Sequence, residues 1–319
     1  MTGVTSMSRV PAQGGQGKLD RVAVMSQNFD AILKTGIGPA PDASRTLDFM
    51  DFPQAVADRL GVHRLELQHA HFVSTDASYL KDFRDRVTKA KSQIVQIVLE
   101  FQTSNVSAAG FSARAQAIDL AKVWIDHAEA LGCPRVLVNQ GSLAADVRQS
   151  AVDALKIIND YGKTHKVTVT IENRDNGVAP PPPAPPPQPP PAPAAGGGAA
   201  AAPGRGRVGG GGQTAPPAPP ATWQVVAEVI KAAGVAATPD VANFPNETER
   251  AAGLKVLVPL SGGVVHASLD PTKYNLSSAL RVVKDAKFTG IYSIETGGNS
   301  GPDPYAATKK VLDEVLKDM

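Results

Sequence analysis

The sequence predicts an α/β protein built as one (β/α)8 barrel, the TIM-barrel architecture. Three observations predict it. Eight short β-rich runs alternate with eight longer helical patterns, the rhythm of a parallel sheet wrapped by helices. The chain is rich in Val, Ala, Leu and Ile and only 5% aromatic, as strands buried on both faces require. Setting aside one low-complexity stretch leaves roughly 270 residues, the usual size of such a barrel. An open nucleotide-binding sheet would place Gly-x-Gly-x-x-Gly after the first run, and none stands there.

In chain order, the strands are expected at Arg21–Met25, Val62–Leu67, Gln93–Phe101 and Arg135–Asn139, then Lys166–Ile171, Val235–Pro239, Gly263–Ala267 and Gly290–Ile294. Helical spacing of apolar residues predicts helices over Phe52–Leu60, Ala77–Ala90, Ser112–Leu131 and Asp146–His165. Four more follow at Trp223–Ala233, Glu247–Leu257, Leu276–Ala286 and Pro304–Lys317. Gly132 and Gly234 stand where a helix ends and the chain turns into the next strand, a position that favours the left-handed freedom of glycine.

Two segments lie outside this rhythm. Residues 1–18 are polar and Gly-rich and are expected to be flexible, ahead of a barrel domain over 19–319. No signal peptide is legible there, so a cytoplasmic location is expected, with the mature end of an exported protein as the alternative. Residues 178–222 are almost purely Pro, Ala and Gly, cannot bury a core, and are expected to form a disordered insertion between the fifth strand and its helix. A proline-rich ligand for a partner's aromatic groove is the alternative use of this insertion.

Charge and cysteine content narrow the function. A net charge of +2 lacks the concentrated basic face of a nucleic-acid binder. No apolar run is long enough to cross a bilayer. The single cysteine, Cys133, excludes an internal disulfide or a thiolate cluster and reads as a small buried filler.

The chemistry is concentrated at four strand ends. The fifth run reads Thr168-Val169-Thr170-Ile171-Glu172, with the threonines and Glu172 on one face. The eighth reads Ile291-Tyr292-Ser293-Ile294-Glu295, with Ser293 and Glu295 sharing a face. The sixth leads into Pro239-Asp240 and the seventh into Val265-His266. Strand-end side chains of a barrel point into its C-terminal mouth, so three carboxylates and an imidazole converge there. Such carboxylates repel one another, and one divalent cation on Glu172, Asp240, His266 and Glu295 resolves the repulsion. Oxygen ligands with one imidazole suit Mn²⁺ first, with Mg²⁺, Co²⁺ or Zn²⁺ as alternatives. Taken singly, each residue also has a structural use: a salt-bridged strand end, a helix cap, a buried histidine and a turn flank.

Further polar residues surround this mouth. Glu66 and Gln68 share a face of the second strand, and His69 and His71 follow it; Glu66, His69 and His71 are read as substrate contacts. Asn139 and Gln140, after the fourth strand, can bond substrate hydroxyls or tie down their own loop. Arg174 can orient Glu172 or pair a substrate phosphate, and Asn243 can hold substrate.

Glu172-Asn173, Pro239-Asp240 with Asn243-Phe244, His266 and Gly290-Ile291 with Ile294-Glu295 resemble the xylose-isomerase-like TIM-barrel superfamily of sugar phosphate isomerases and epimerases. The resemblance covers the chain from about residue 19 onward, outside the insertion. It implies one catalytic metal on Glu172, Asp240, His266 and Glu295, a small-molecule sugar substrate and compatibility with a homo-oligomer. It also implies isomerisation or epimerisation of a ketose or keto-sugar through an enediolate, with Glu172 and Glu295 as the acid–base pair. The alternatives are a keto-sugar dehydratase or lyase, an abasic-site endonuclease-like phosphodiesterase, and a non-catalytic sugar-binding protein. Two departures matter: Asn243 stands where ketose 3-epimerases carry His, and no His adjoins Asp240 to support a three-zinc cluster.

Overall fold

The computed structural model describes residues 17–34, 45–101, 105–174, 221–296 and 303–319. The segments expected at 1–18 and 178–222 lie almost wholly outside the described residues. Their inner edges are ordered: Lys18 opens a 3-10 turn (Lys18–Arg21), and Thr222 starts a helix.

Eight parallel strands form the barrel: β1 (Val22–Met25), β2 (Arg64–Gln68), β3 (Gln93–Leu99), β4 (Arg135–Val138), β5 (Thr168–Glu172), β6 (Ala236–Thr238), β7 (Val264–Ala267) and β8 (Ile291–Ile294). The hydrogen-bonded order runs β6-β5-β4-β3-β2-β1-β8-β7. The β6–β7 seam closes through backbone bonds from His266 N–H to Pro239 O (2.8 Å), Val241 N–H to His266 O (3.2 Å) and Gly262 N–H to Ala237 O (2.8 Å). Asp240 and His266 face each other as a parallel bridge at the top of this seam.

The helices are α1 (Phe52–Leu60), α2 (Ala77–Lys89), α3 (Phe111–Leu131), α4 (Arg148–Thr164), α5 (Thr222–Ala233), α6 (Glu247–Leu257), α7 (Leu276–Asp285) and α8 (Pro304–Asp318). Gly61, Gly132 and Gly234 end α1, α3 and α5 in the left-handed region, with φ of 65°, 70° and 73°. A short parallel ribbon, Leu33–Lys34 with Leu47–Asp48, was not expected from the sequence.

Alternation divides the strands into two environments. The outward residues, such as Val22, Val24, Leu65, Leu67, Val169 and Ile171, join the core shared with the helices. Burying such a layer supplies most of the stability, at about 25 cal/mol per Å² of apolar surface. The inward residues are different: only Met25, Val98 and Leu137 form a small apolar cluster of their own. Glu66, Gln96, Thr170, Thr238, His266 and Ser293 are also buried, at 0–1% exposure, so the barrel's interior is polar. Cys133 is buried at 2% exposure, and burial pushes its thiol up to about 12.

Candidate metal centre

The polar interior leads upward to the four strand-end residues. Glu172, Asp240, His266 and Glu295 each bring one ligand atom to within 4.8 Å of the others. Glu172 closes β5, His266 lies in β7, and Asp240 and Glu295 follow β6 and β8. Two asparagines fix the loops that carry them. Asn173 Oδ1 accepts from Asp240 N–H at 2.7 Å, and its Nδ2 donates to the carbonyls of Asp240 (3.1 Å) and Asn243 (3.2 Å). Asn28 does the same beside Glu295, donating to Ile294 O at 2.9 Å and accepting from Thr296 N–H at 2.8 Å.

His266 is oriented from below. Its Nε2 lies 2.9 Å from Glu66 Oε1, which also accepts from Gln96 Nε2 at 2.8 Å. Gln96 Oε1 takes the hydroxyls of Thr238 (3.3 Å) and Thr170 (3.4 Å). His266 Nδ1 therefore faces the mouth, 3.6 Å from both Glu172 and Glu295. That distance is too long for a hydrogen bond. Nδ1 is buried without a hydrogen-bond partner, as a ligand nitrogen awaiting an ion would be.

Electrostatics support the same fit. Burial alone would raise the Glu172 carboxyl, but the Arg174 guanidinium and the His266 imidazole outweigh it and hold it at about 2. Burial pushes Asp240 well above the usual carboxylate range, with the Glu295 and Glu172 charges adding to it. Burial also raises Glu295, against the pull of His266. Burial would lower His266, yet the adjoining Glu66 and Glu172 carboxylates raise it well above its ordinary value. Excess negative charge with one imidazole is a donor set that a divalent cation satisfies.

The other expected residues are placed as follows. Asn243 Nδ2 donates to Glu172 Oε1 at 3.0 Å. Arg174 bonds both Glu172 and Glu100, and Asn139 donates to the other Glu100 oxygen at 2.8 Å. His71 lies between Ser26 Oγ (2.8 Å) and Asp30 Oδ1 (2.7 Å). Gln140 donates to Glu172 O at 2.8 Å, so it supports the strand end.

Two residues sit differently from their expected place as substrate contacts. Glu66 is wholly buried under His266, because its inward position on β2 lies below the strand ends. His69 is turned into an aromatic wall, its ring 4.9 Å from Phe101 and 5.4 Å from Trp124. Burial there lowers its pKa to about 4, and Glu100 N–H donates to its Nδ1 at 3.2 Å.

Glu100 was missed by sequence reading. The third strand was expected to run through Phe101; it ends at Leu99, which makes Glu100 a strand-end carboxylate like the other three.

Two cavities flank the quartet at the mouth. One, of about 700 Å³, is bounded by Asp240, Asn243, Ser268, Tyr274 and Glu295. The other, of about 690 Å³, is bounded by Gln68, His71, Glu100, Asn139 and Arg174.

No protein-family model matches the sequence, and a search of curated proteins returned no match. Solved structures do match in fold. A sugar phosphate isomerase/epimerase from Parabacteroides distasonis superposes with a TM-score of 0.62 at 12% identity, covering 97% of this chain and 98% of that one. D-Psicose 3-epimerase from Clostridium cellulolyticum, solved with D-tagatose, gives a TM-score of 0.64 at 10% identity over 93% and 98%. A xylose isomerase-like TIM-barrel protein from Mycobacterium smegmatis, solved in complex with magnesium, gives 0.59 at 13% over 93% and 96%. The chain has the fold of the xylose isomerase-like TIM barrels.

Proposed function

We propose that the protein is a divalent-metal-dependent isomerase or epimerase acting on a ketose or keto-sugar. The observation that carries this reading is the convergence of Glu172, Asp240, His266 and Glu295 around a buried, unpartnered imidazole nitrogen. Its support from outside the chain is a shared fold with sugar epimerases and with a magnesium-bound barrel. We propose Mn²⁺ as the first ion to test, since hard carboxylates dominate the donor set.

When bound, such an ion supplies Lewis-acid polarisation of a sugar carbonyl and its neighbouring hydroxyl, which acidifies the adjoining C–H. Glu172 and Glu295 each lie 3.6 Å from His266 Nδ1 and are the pair that would take and return the carbon-bound proton. Asn243 and Arg174 hold Glu172 in place through its two oxygens. Asn139 lines the adjoining cavity and offers hydrogen bonds to sugar hydroxyls, while His71, held at both ring nitrogens by Ser26 and Asp30, shapes its wall.

Loss of a β-substituent, as in a keto-sugar dehydratase or lyase, is the second reading. Asn243 sets the site apart from a standard ketose 3-epimerase: its amide donates to Glu172 and supplies no titrating group there.

Solvent-deuterium uptake into a panel of ketoses and keto-glycosides tests the proposal. The expected result is metal-dependent deuteration next to the carbonyl, with an epimer, an isomer or an elimination product separating the two readings. Metal-loaded protein that deuterates no member of the panel would contradict both.

A further inference from the structure

A third cavity, of about 670 Å³, opens at the opposite, N-terminal mouth of the barrel, where β2, β3, β4, β7 and β8 begin. Arg64, Arg84 and Arg135 line it together with Thr88, Ser92 and Gln93, and no carboxylate does. We propose that this cavity binds a tetrahedral oxyanion: free phosphate or the phosphoryl group of a small metabolite.

The ordinary explanation for such arginines is that they cap the strand-start carbonyls. That explains part of their bonding. Arg64 donates to Asp20 O and to Gln93 Oε1 (2.9 Å), Arg84 to Ala130 O (3.0 Å), and Arg135 to Gly262 O and Val95 O (3.1 Å). A guanidinium carries five N–H donors, so most remain unspent on these oxygens. None of the three forms an ion pair with a carboxylate among the described residues. Space is also kept for Arg135: a Cβ at Gly263, where φ is +97°, would lie 2.9 Å from its Nη2. Three positive groups thus share a cavity with hydroxyl and amide donors and no carboxylate in its lining, the charges of Glu66 and Asp85 acting on Arg135 and Arg84 from outside it. Planar, pre-placed N–H forks of this kind match phosphate oxygens, and charge-assisted bonds to them are about twice as strong as neutral ones.

The site lies at the far end of the barrel from the metal quartet, so it is separate from substrate binding and does not depend on the proposed reaction. The test is thermal-shift and calorimetric titration of the full chain with inorganic phosphate, glucose 6-phosphate and glucose at constant ionic strength. Wild type should gain thermal stability with phosphate or the phosphate ester and none with glucose. The tighter of the two ligands identifies the natural source as free ion or metabolite. Arg84→Ala, on an exposed helix face, should fold normally and bind at least about tenfold more weakly; Arg135→Gln should bind more weakly still. Absence of binding to wild type by both phosphate compounds would overturn the proposal. So would equal binding by wild type and Arg84→Ala, which would mark the effect as general charge or as phosphate at the metal quartet.

Discussion

His266 meets Glu66 through Nε2 at 2.9 Å, across 200 residues of sequence, and this contact turns Nδ1 toward Glu172 and Glu295. The carboxylate fixes which nitrogen carries the proton and which one is presented upward. Glu66→Gln preserves shape and removes the charge. Metal affinity should then fall by about tenfold to a hundredfold while the fold is kept, as for other partners of ligand histidines. Titration of Mn²⁺ into the variant checks this, and unchanged affinity would remove Glu66 from the account.

Asn173 ties the end of β5 to the loop after β6 with three hydrogen bonds, and it is 1% exposed. Asn173→Ala strands the buried Asp240 N–H, while Asp240 O keeps Asn243 N–H at 3.4 Å and the Asn243 carbonyl is only part-buried, so stability should drop by about 1–3 kcal/mol, the cost of one unsatisfied buried group. Asp240 should lose its placement at the same time. Chemical denaturation measures the first effect and metal titration the second.

His69 predicts a pH dependence. Its pKa is about 4 in the folded chain, against 6.5 for a free imidazole. Between those values the unfolded chain binds more protons, so the stability His69 permits is complete above about 6.5 and is lost as pH falls toward 4. The loss is about 3 kcal/mol at full protonation, at about 1.4 kcal/mol per pKa unit. Denaturation of wild type and His69→Gln at several pH values isolates it: the variant should lack this part of the slope.

The fold was legible because barrel strands and helices follow simple periodicities. α1 and α6 begin and end where apolar spacing placed them, at Phe52–Leu60 and Glu247–Leu257. β5 begins two residues late because Lys166 takes a φ of 57°, off the extended path, which no pattern of side chains announces. The quartet could be picked out because period-two alternation and strand-end position both act locally. What joins Glu66 to His266, or Glu100 to Arg174, is barrel closure, which brings together distant parts of the chain. For Glu66, alternation indicated the inward face but not the depth; for His69, it gave no sign of the pocket between Phe101 and Trp124.

Glu172, Asp240, His266 and Glu295 are proposed to hold one divalent cation. Calorimetric titration of Mn²⁺ into chelator-treated protein, in buffers of different ionisation heat, tests it most directly. Because Asp240 and His266 are both raised well above their ordinary values, binding should release protons and tighten as pH rises. One Mn²⁺ per chain is expected, with proton release, and loss of that binding in Asp240→Asn and Glu295→Gln variants that remain folded. No binding by wild type, or equal binding by wild type and both variants, would contradict it.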